Sequence, residues 1–136
     1  MTRRVFGDTV YWVALADPND QWHPQATRQA RLLRPVIVTT TEDVIVEFLA
    51  AFAKRGAYWR REAASWAHQT LSDPGAIVHP QTHQSFLQGL ALYERRLDKG
   101  YSLTDCISMN AMRSSGLMDV LTHDAHFRQE GFNTLL

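Results

Sequence analysis

The stretch PVIVTTTEDVIVEFLAAF, residues 35–52, decides the fold class of this chain. Its beginning, residues 35–39, places β-branched residues after a proline, which is typical of a short strand. Helical spacing of apolar residues follows directly and predicts a helix over residues 41–55, with Gly56 as its C-cap. A strand that leads straight into a long helix is the repeating unit of an α/β fold.

The same alternation of short strands and longer helices recurs along the whole chain. We predict strands at residues 4–7, 35–39, 76–79 and 118–122, with a frayed fifth at 133–136. Helical patterns fill the gaps at residues 9–15, 24–33, 41–55, 58–71, 82–97 and 103–113. Such alternation implies right-handed crossovers. The predicted fold class is therefore α/β, with a small, mainly parallel, four- to five-stranded sheet sandwiched by helices.

Composition limits the size and the setting of the protein. The 136 residues, 45% of them hydrophobic, suffice for one domain with its own core, so we expect residues 1–136 to form a single domain. The one cysteine, Cys106, excludes a disulfide framework and favours a reducing compartment. No apolar run approaches the length of a membrane span or a signal peptide. We therefore expect a cytoplasmic protein without a membrane segment.

Glu47 is the residue in the opening stretch that packing does not explain. Its neighbours in DVIVEFLAAF are apolar or small, and a helix that is apolar all round is predicted to be buried. Burying an unpaired carboxylate costs several kcal/mol, so it must meet a cation, a proton or a hydrogen-bond donor. The same helix carries no Lys or Arg before Lys54.

Three further acids fall at positions that should bring them close to Glu47. Asp8 follows the first predicted strand, Asp124 follows the fourth, and Asp105 lies in the first turn of the helix that leads to the fourth. The carboxyl ends of parallel strands share one edge of a sheet, where ligands bind in open α/β folds. We therefore predict that the four carboxylates converge there.

Each of these three acids also has a purely local explanation. Asp8 could cap the helix that begins one residue later. Asp105 has the spacing of a capping box with Ser102, and Asp124 could close an Asx-turn. Taken singly, the local explanations suffice for these three. Glu47 is not at a helix end and has no such explanation.

Four converging carboxylates repel one another, and a hard divalent cation removes that repulsion. All-oxygen ligands favour Mg²⁺ or Mn²⁺ over zinc, which prefers nitrogen and sulfur. Among the histidines, His79 and His83 have a spacing that suggests zinc, but Pro80 makes a shared helix face improbable. Without the four acids, 14 basic residues face 10 acidic ones, and a net positive surface suits a phosphodiester substrate.

The four acids stand in segments that carry a family resemblance. In VFGDTVYWVAL, VTTTEDVIVEFL, YSLTDCIS and VLTHDAHF, the chain resembles the PIN domain, a metal-dependent ribonuclease fold that includes the VapC-type toxins. The resemblance covers nearly the whole chain, through HFRQEGFNTLL at its end. It implies a three-layer α/β/α domain that cleaves RNA.

The resemblance also implies roles for individual residues. Asp8, Asp105 and Asp124 would hold one or two Mg²⁺ or Mn²⁺ ions, with Glu47 bound directly or through water. Polar residues beside the acids, Thr9, Thr40 and Ser102, would orient the acids or the scissile phosphate. In VapC-like proteins the helices after the second strand form a homodimer and receive an antitoxin. Tyr58, Trp59, Trp66 and Phe52 are therefore candidates for a partner-binding patch as well as for the core.

Two other functions remain open from the sequence. A phosphatase of the haloacid dehalogenase type would need a second acid two residues after Asp8, where this chain has Val10. A catalytically weak PIN-like module that binds RNA or a protein without cleavage is the second alternative. Retention of all four acids weighs against it, because a binding module gains nothing from buried repulsion.

Overall fold

The computed structural model describes residues 2–136 and shows a five-stranded parallel sheet flanked by seven helices in those residues. The strands are β1 (Arg3–Gly7), β2 (Val36–Thr41), β3 (Ala76–His79), β4 (Asp119–Leu121) and β5 (Asn133–Thr134). The helices are α1 (Thr9–Ala16), α2 (His23–Leu32), α3 (Glu42–Phe52), α4 (Ala57–Ser72), α5 (His83–Arg95), α6 (Leu103–Ser114) and α7 (Ala125–Gln129). The predicted three-layer α/β/α fold class is confirmed.

Successive residues of the central strands pack into two separate hydrophobic cores, one on each face of the sheet. Val5 and Phe6 are both fully buried, yet Val5 packs with residues of α1 and α2, whereas Phe6 packs with residues of α3, α5, α6 and α7. Val120 and Leu121 of β4 divide in the same way. Because side chains alternate across a strand, helices cover both faces of the sheet and make the middle layer apolar on both sides.

The strand order places the ends of β1 and β4 side by side. The order is β3-β2-β1-β4-β5, so the chain leaves β1 in one direction and later returns to its other side. Gly7, at the end of β1, is paired with Leu121, at the end of β4. The switch in strand order therefore opens a crevice directly beyond these two residues, where an α/β sheet binds its ligands.

The strand predictions were accurate, but the predicted end of one helix was wrong and one short helix was not predicted. Gly56 does not end α3, which stops at Phe52; it precedes α4 with a φ of 93°, a conformation that glycine adopts without strain. The short helix α7 was not predicted, because five residues are too few to show a helical period. Thr41 lies outside α3 as its N-cap, and its hydroxyl accepts the N–H of Val44.

The prediction that the helix of Glu47 is buried all round was also wrong. Helix α3 exposes Val46 and Leu49, which are 54% and 36% accessible. Its buried side chains recur every fourth residue: Val44, Phe48 and Phe52. The helix therefore has an apolar face that no other described residue covers. Glu47 is half-buried rather than fully enclosed.

Among the helices of residues 2–136, none combines the length and the apolar character that crossing a bilayer requires.

Candidate functional site

Asp8 lies in the crevice beyond β1 and is only 4% exposed. Its Oδ2 accepts a 2.9 Å hydrogen bond from the hydroxyl of Thr122, the residue that follows β4. The same hydroxyl accepts the backbone N–H of Asp124 at 3.1 Å. Thr122 therefore joins two of the predicted acids across the β1–β4 boundary. Thr122 was not among the predicted site residues. The predicted strand at residues 118–122 included it, whereas β4 ends at Leu121 and leaves Thr122 directly after the strand.

The environment of Asp8 disfavours its charged form. Burial raises the pKa of Asp8 to about 7, and the negative charges of Asp105 and Glu47 add to the rise. The hydroxyl of Thr122 and the backbone N–H of Thr9 oppose it only in part. No Lys or Arg in the described chain pairs with Asp8. A buried carboxylate that the protein leaves without a cation is the kind of group that a metal ion stabilises.

Glu47 lies on α3 beside Asp8 and is held by a single strong contact. The hydroxyl of Thr9, the first residue of α1, donates to Glu47 Oε1 at 2.6 Å. The charge of Glu47 contributes to the raised pKa of Asp8, so the two carboxylates lie near each other. Thr9 thus contacts one of the four acids, as an orienting residue would.

Asp105 and Asp124 make the local contacts that the sequence allowed. Asp105 forms a capping box with Ser102, each accepting the other's backbone N–H at 3.0 Å. Asp124 caps α7 through the N–H of His126 at 2.9 Å. These bonds fix the positions of the two carboxyl groups, and the charge of Asp105 also contributes to the raised pKa of Asp8.

His126 joins Asp105 and Asp124 in a compact group. Ligand atoms of the three residues lie within 4.8 Å of one another, and together they form a group that could hold a metal ion. Nδ1 of His126 is 3.3 Å from Asp105 Oδ2 and 3.4 Å from Asp124 Oδ1. From the sequence, His126 was expected to be a turn or surface residue with at most a minor contact to substrate, although its position two residues after Asp124 was a usable signal.

Thr40, the remaining predicted orienting residue, is fully buried within the sheet. Its hydroxyl donates to the carbonyl of Gly7 at 2.9 Å, which fixes the end of β1 immediately before Asp8. Thr40 therefore stabilises the backbone next to Asp8 and does not itself contact the predicted acids in the described hydrogen bonds. His79 and His83 belong to no group of three potential metal ligands within residues 2–136.

The four predicted acids lie near one another. Asp124 and Asp105 lie in the compact group with His126, and the charges of Asp105 and Glu47 both contribute to the raised pKa of Asp8. Asp8 and Glu47 lie outside the compact group itself. The donor atoms are carboxylate oxygens with one imidazole nitrogen. This set fits a divalent cation such as Mg²⁺ or Mn²⁺ better than the nitrogen- and sulfur-rich sites of structural zinc.

Comparison with known proteins finds a relative that is similar over nearly the whole chain. No family model matches the chain. The chain is 28% identical over 128 residues to a Mycobacterium tuberculosis protein named 23S rRNA-specific endonuclease VapC20, with 94% of this chain and 95% of that protein covered. The crystal structure of VapC20, described as a Sarcin-Ricin loop cleaving toxin, superposes with a TM-score of 0.84 at 27% identity, over 94% and 95% of the two chains. The chain is therefore similar over nearly its whole length to a VapC-type PIN-domain protein.

Two other structures share the PIN-domain fold at lower identity. VapBC2 from Rickettsia felis, solved with a DNA fragment from its promoter, has a TM-score of 0.68 at 12% identity over 96% of both chains. FitAcB from Neisseria gonorrhoeae has a TM-score of 0.65 at 13% identity, covering 97% of this chain and 96% of that one. At such low identity these two structures show the fold alone. The PIN-domain resemblance predicted from the four acid-bearing segments is thereby confirmed.

Proposed function

We propose that residues 1–136 form one catalytic domain, a cytoplasmic Mg²⁺- or Mn²⁺-dependent endoribonuclease and the toxin of a type II toxin–antitoxin pair. The proposal rests mainly on the environment of Asp8. This carboxylate is buried beside two other acids without a basic partner in the described chain, in a fold shared with an rRNA endonuclease. A metal ion relieves that repulsion, whereas a module that only binds RNA would gain nothing from it.

The proposed division of labour follows the contacts of each side chain. Asp8, Asp105 and Asp124 hold the ion, and Glu47 completes the set directly or through water. When bound, the ion supplies a lowered pKa for the attacking water and neutralises charge that develops on the phosphate. One of the carboxylates accepts the proton of that water. Thr9 keeps Glu47 in place, and Ser102 keeps Asp105 in place, through the bonds described above.

The substrate class is RNA, and the name of the relative suggests where to begin. VapC20 is named as specific for 23S rRNA and described as cleaving the Sarcin-Ricin loop. We propose the same rRNA as the first substrate to test for this chain. With the four site acids set aside, the charge balance of the sequence is positive, which favours contact with phosphates.

The open face of α3 and α4 supports the expectation of protein partners. Val46, Leu49 and Tyr58 are exposed there, with Arg60 and Arg61 beside the same groove. Exposed apolar side chains of this kind mark interaction surfaces. We propose that the chain forms a homodimer and binds an antitoxin, and that this face takes part.

The deciding experiment is a cleavage assay with matched variants. Purified protein with Mn²⁺ is incubated with 23S rRNA and a panel of other RNAs, using the wild type, Asp8→Asn and Asp105→Asn. Each substitution removes one charge at nearly constant volume, and we expect cleavage to fall on the order of 1000-fold, about 4 kcal/mol of activation free energy. His68→Ala, on the exposed face of α4, is the control and should leave cleavage unchanged. Undiminished cleavage by both variants would refute the assignment, and a wild type that binds RNA without cutting it would favour the binding module.

A further inference from the structure

His126 presents one nitrogen to the carboxylates and turns the other away from them. Nδ1 lies 3.3 Å from Asp105 and 3.4 Å from Asp124, so it faces both acids at once. The opposite nitrogen, Nε2, lies against Gly100. A Cβ atom built on Gly100 would be 3.4 Å from this nitrogen. The ring is therefore oriented with Nδ1 towards the crevice.

Packing holds the imidazole in that orientation. The ring of Tyr101 lies against it with centroids 5.4 Å apart, and Tyr101 is itself 4% exposed. The hydroxyl of Tyr101 donates to Glu130 Oε1 at 3.0 Å, which anchors the tyrosine from behind. A ligand whose orientation is fixed before the ion arrives loses little conformational freedom on binding.

The dimensions of the group suit a single ion. Oxygen ligands lie about 2.1 Å from Mg²⁺, so two ligands on opposite sides of such an ion are roughly 4.2 Å apart. The three candidate ligand atoms already lie within 4.8 Å of one another. They converge on one ion with only small movements of their side chains.

We propose that His126 is a direct ligand of the ion held by Asp105 and Asp124, and that its nitrogen makes the site prefer Mn²⁺ to Mg²⁺. The inference rests on the proposed metal-dependent function and deepens it. Mg²⁺ is a hard cation that takes oxygen ligands, whereas imidazole nitrogen raises the affinity for first-row transition metals. A merely structural histidine, bridging two carboxylates by hydrogen bonds, would not discriminate between the two ions.

The first test measures metal binding by the full chain without RNA. Metal-stripped wild type, His126→Ala and His126→Asp are titrated separately with Mn²⁺ and Mg²⁺ by isothermal titration calorimetry, with His68→Ala as the control. We expect His126→Ala to weaken Mn²⁺ binding at least about tenfold and Mg²⁺ binding less than about threefold. His126→Asp supplies oxygen in place of nitrogen and should restore Mg²⁺ affinity without restoring the preference for Mn²⁺. Equal losses for both ions, or no loss for Mn²⁺, would overturn the proposal.

The second test detects the nitrogen itself, and its first measurement uses only the wild type. Pulsed electron paramagnetic resonance of the Mn²⁺-loaded wild type should show coupling to a directly bound nitrogen. The same signal should persist in His68→Ala and disappear in His126→Ala. Mn²⁺ binding without nitrogen coupling would refute the role of His126 and leave the proposed nuclease intact. A wild type that binds neither ion would instead refute the proposed function.

Discussion

Asp8 and Glu130 are both carboxylates with little exposure to water, and their pKa values are shifted in opposite directions. The side chain of Glu130 is 5% exposed and meets Arg96 through two bonds of 2.8 and 2.9 Å, and Arg113 at 2.6 Å. Tyr101 also donates to it. Hydrogen bonding to Arg96 is the largest cause that lowers the pKa of Glu130 to about 2. Burial raises the pKa of Asp8 to about 7.

The difference separates an acid that the fold neutralises from one that it leaves without a basic partner in the described residues. Glu130 follows α7 and contacts the end of α5, the last turn of α6 and the loop before α6. Its charge is therefore neutralised by other residues of the fold. The described chain satisfies Asp8 only with a threonine hydroxyl and a backbone N–H. Burial alone does not mark a functional carboxylate. The absence of protein cations around a buried one does so far better.

The largest expected contrast is in stabilisation by Mn²⁺. With free Mn²⁺ at 100 times its dissociation constant, binding to the folded state alone should raise the free energy of unfolding of the wild type by about 2.7 kcal/mol. Asp8→Asn should lose most of this gain, whereas Glu130→Gln should keep it, since its amide oxygen can still accept from Tyr101. Thermal or urea unfolding with and without the ion measures both. Equal gains in the two variants would erase the distinction between the two acids.

Without metal, the order of the two variants should reverse. Glu130→Gln leaves Arg96 and Arg113 without their anion, and we expect it to lower the free energy of unfolding by about 2 kcal/mol. This is less than for a fully buried pair, because the arginines are 34% and 43% exposed. Asp8→Asn removes repulsion and should be neutral or stabilising. Urea unfolding in a chelator provides the measurement, with exposed Glu62→Gln as the control. A stable Glu130→Gln would mean that this ion-pair cluster contributes little.

A smaller effect should come from the one side chain that donates to Asp8. Thr122→Val removes the hydroxyl that joins Asp8 to Asp124, and we expect a loss of about 1.5 kcal/mol in unfolding free energy together with weaker Mn²⁺ binding. Thr39→Val is the matched control, because its buried hydroxyl has no partner in residues 2–136, so its loss should be neutral or stabilising. If the two variants are equally stable, Thr122 has no special part in the site.

The smallest effect is a change of stability with pH. The folded-state pKa of Glu130, about 2, is below its ordinary value of 4.5, so its contribution is present above pH 4.5 and is lost as pH falls towards 2. Allowing for screening by solvent, we expect the wild type to lose about 1 kcal/mol between pH 5 and pH 3 relative to Glu130→Gln. Urea unfolding at a series of pH values tests this. Parallel profiles for the two proteins would show that Glu130 is not ion-paired in solution.

Part of the site could be predicted from the sequence because it follows from strand ends. Asp8 comes directly after a strand and Asp124 shortly after another, and parallel strands bring such residues to one edge. Glu47 was predicted as a site residue because its helix was expected to be buried on all sides, and that expectation was wrong. Helix α3 is apolar all round, but one apolar face is open, since hydropathy does not tell a face that packs inside the chain from one left for a partner.

Other parts of the site could not be predicted because they depend on contacts between distant segments. His126 enters the crevice on a five-residue helix, and Thr122 bonds to a residue 114 positions away. Glu130 has the same residue type as Glu47, yet two arginines from distant segments, Arg96 and Arg113, neutralise it. None of these pairings has a local signature.

By itself, the amino-acid sequence determined the alternation of strands and helices, the parallel sheet and the family resemblance. These depend on local propensity and on residue spacing, which a linear chain displays directly. Only the tertiary structure decided which carboxylates remain without a basic partner and which histidine nitrogen faces them. Charge compensation acts through space over a few ångströms, and the fold alone sets those distances.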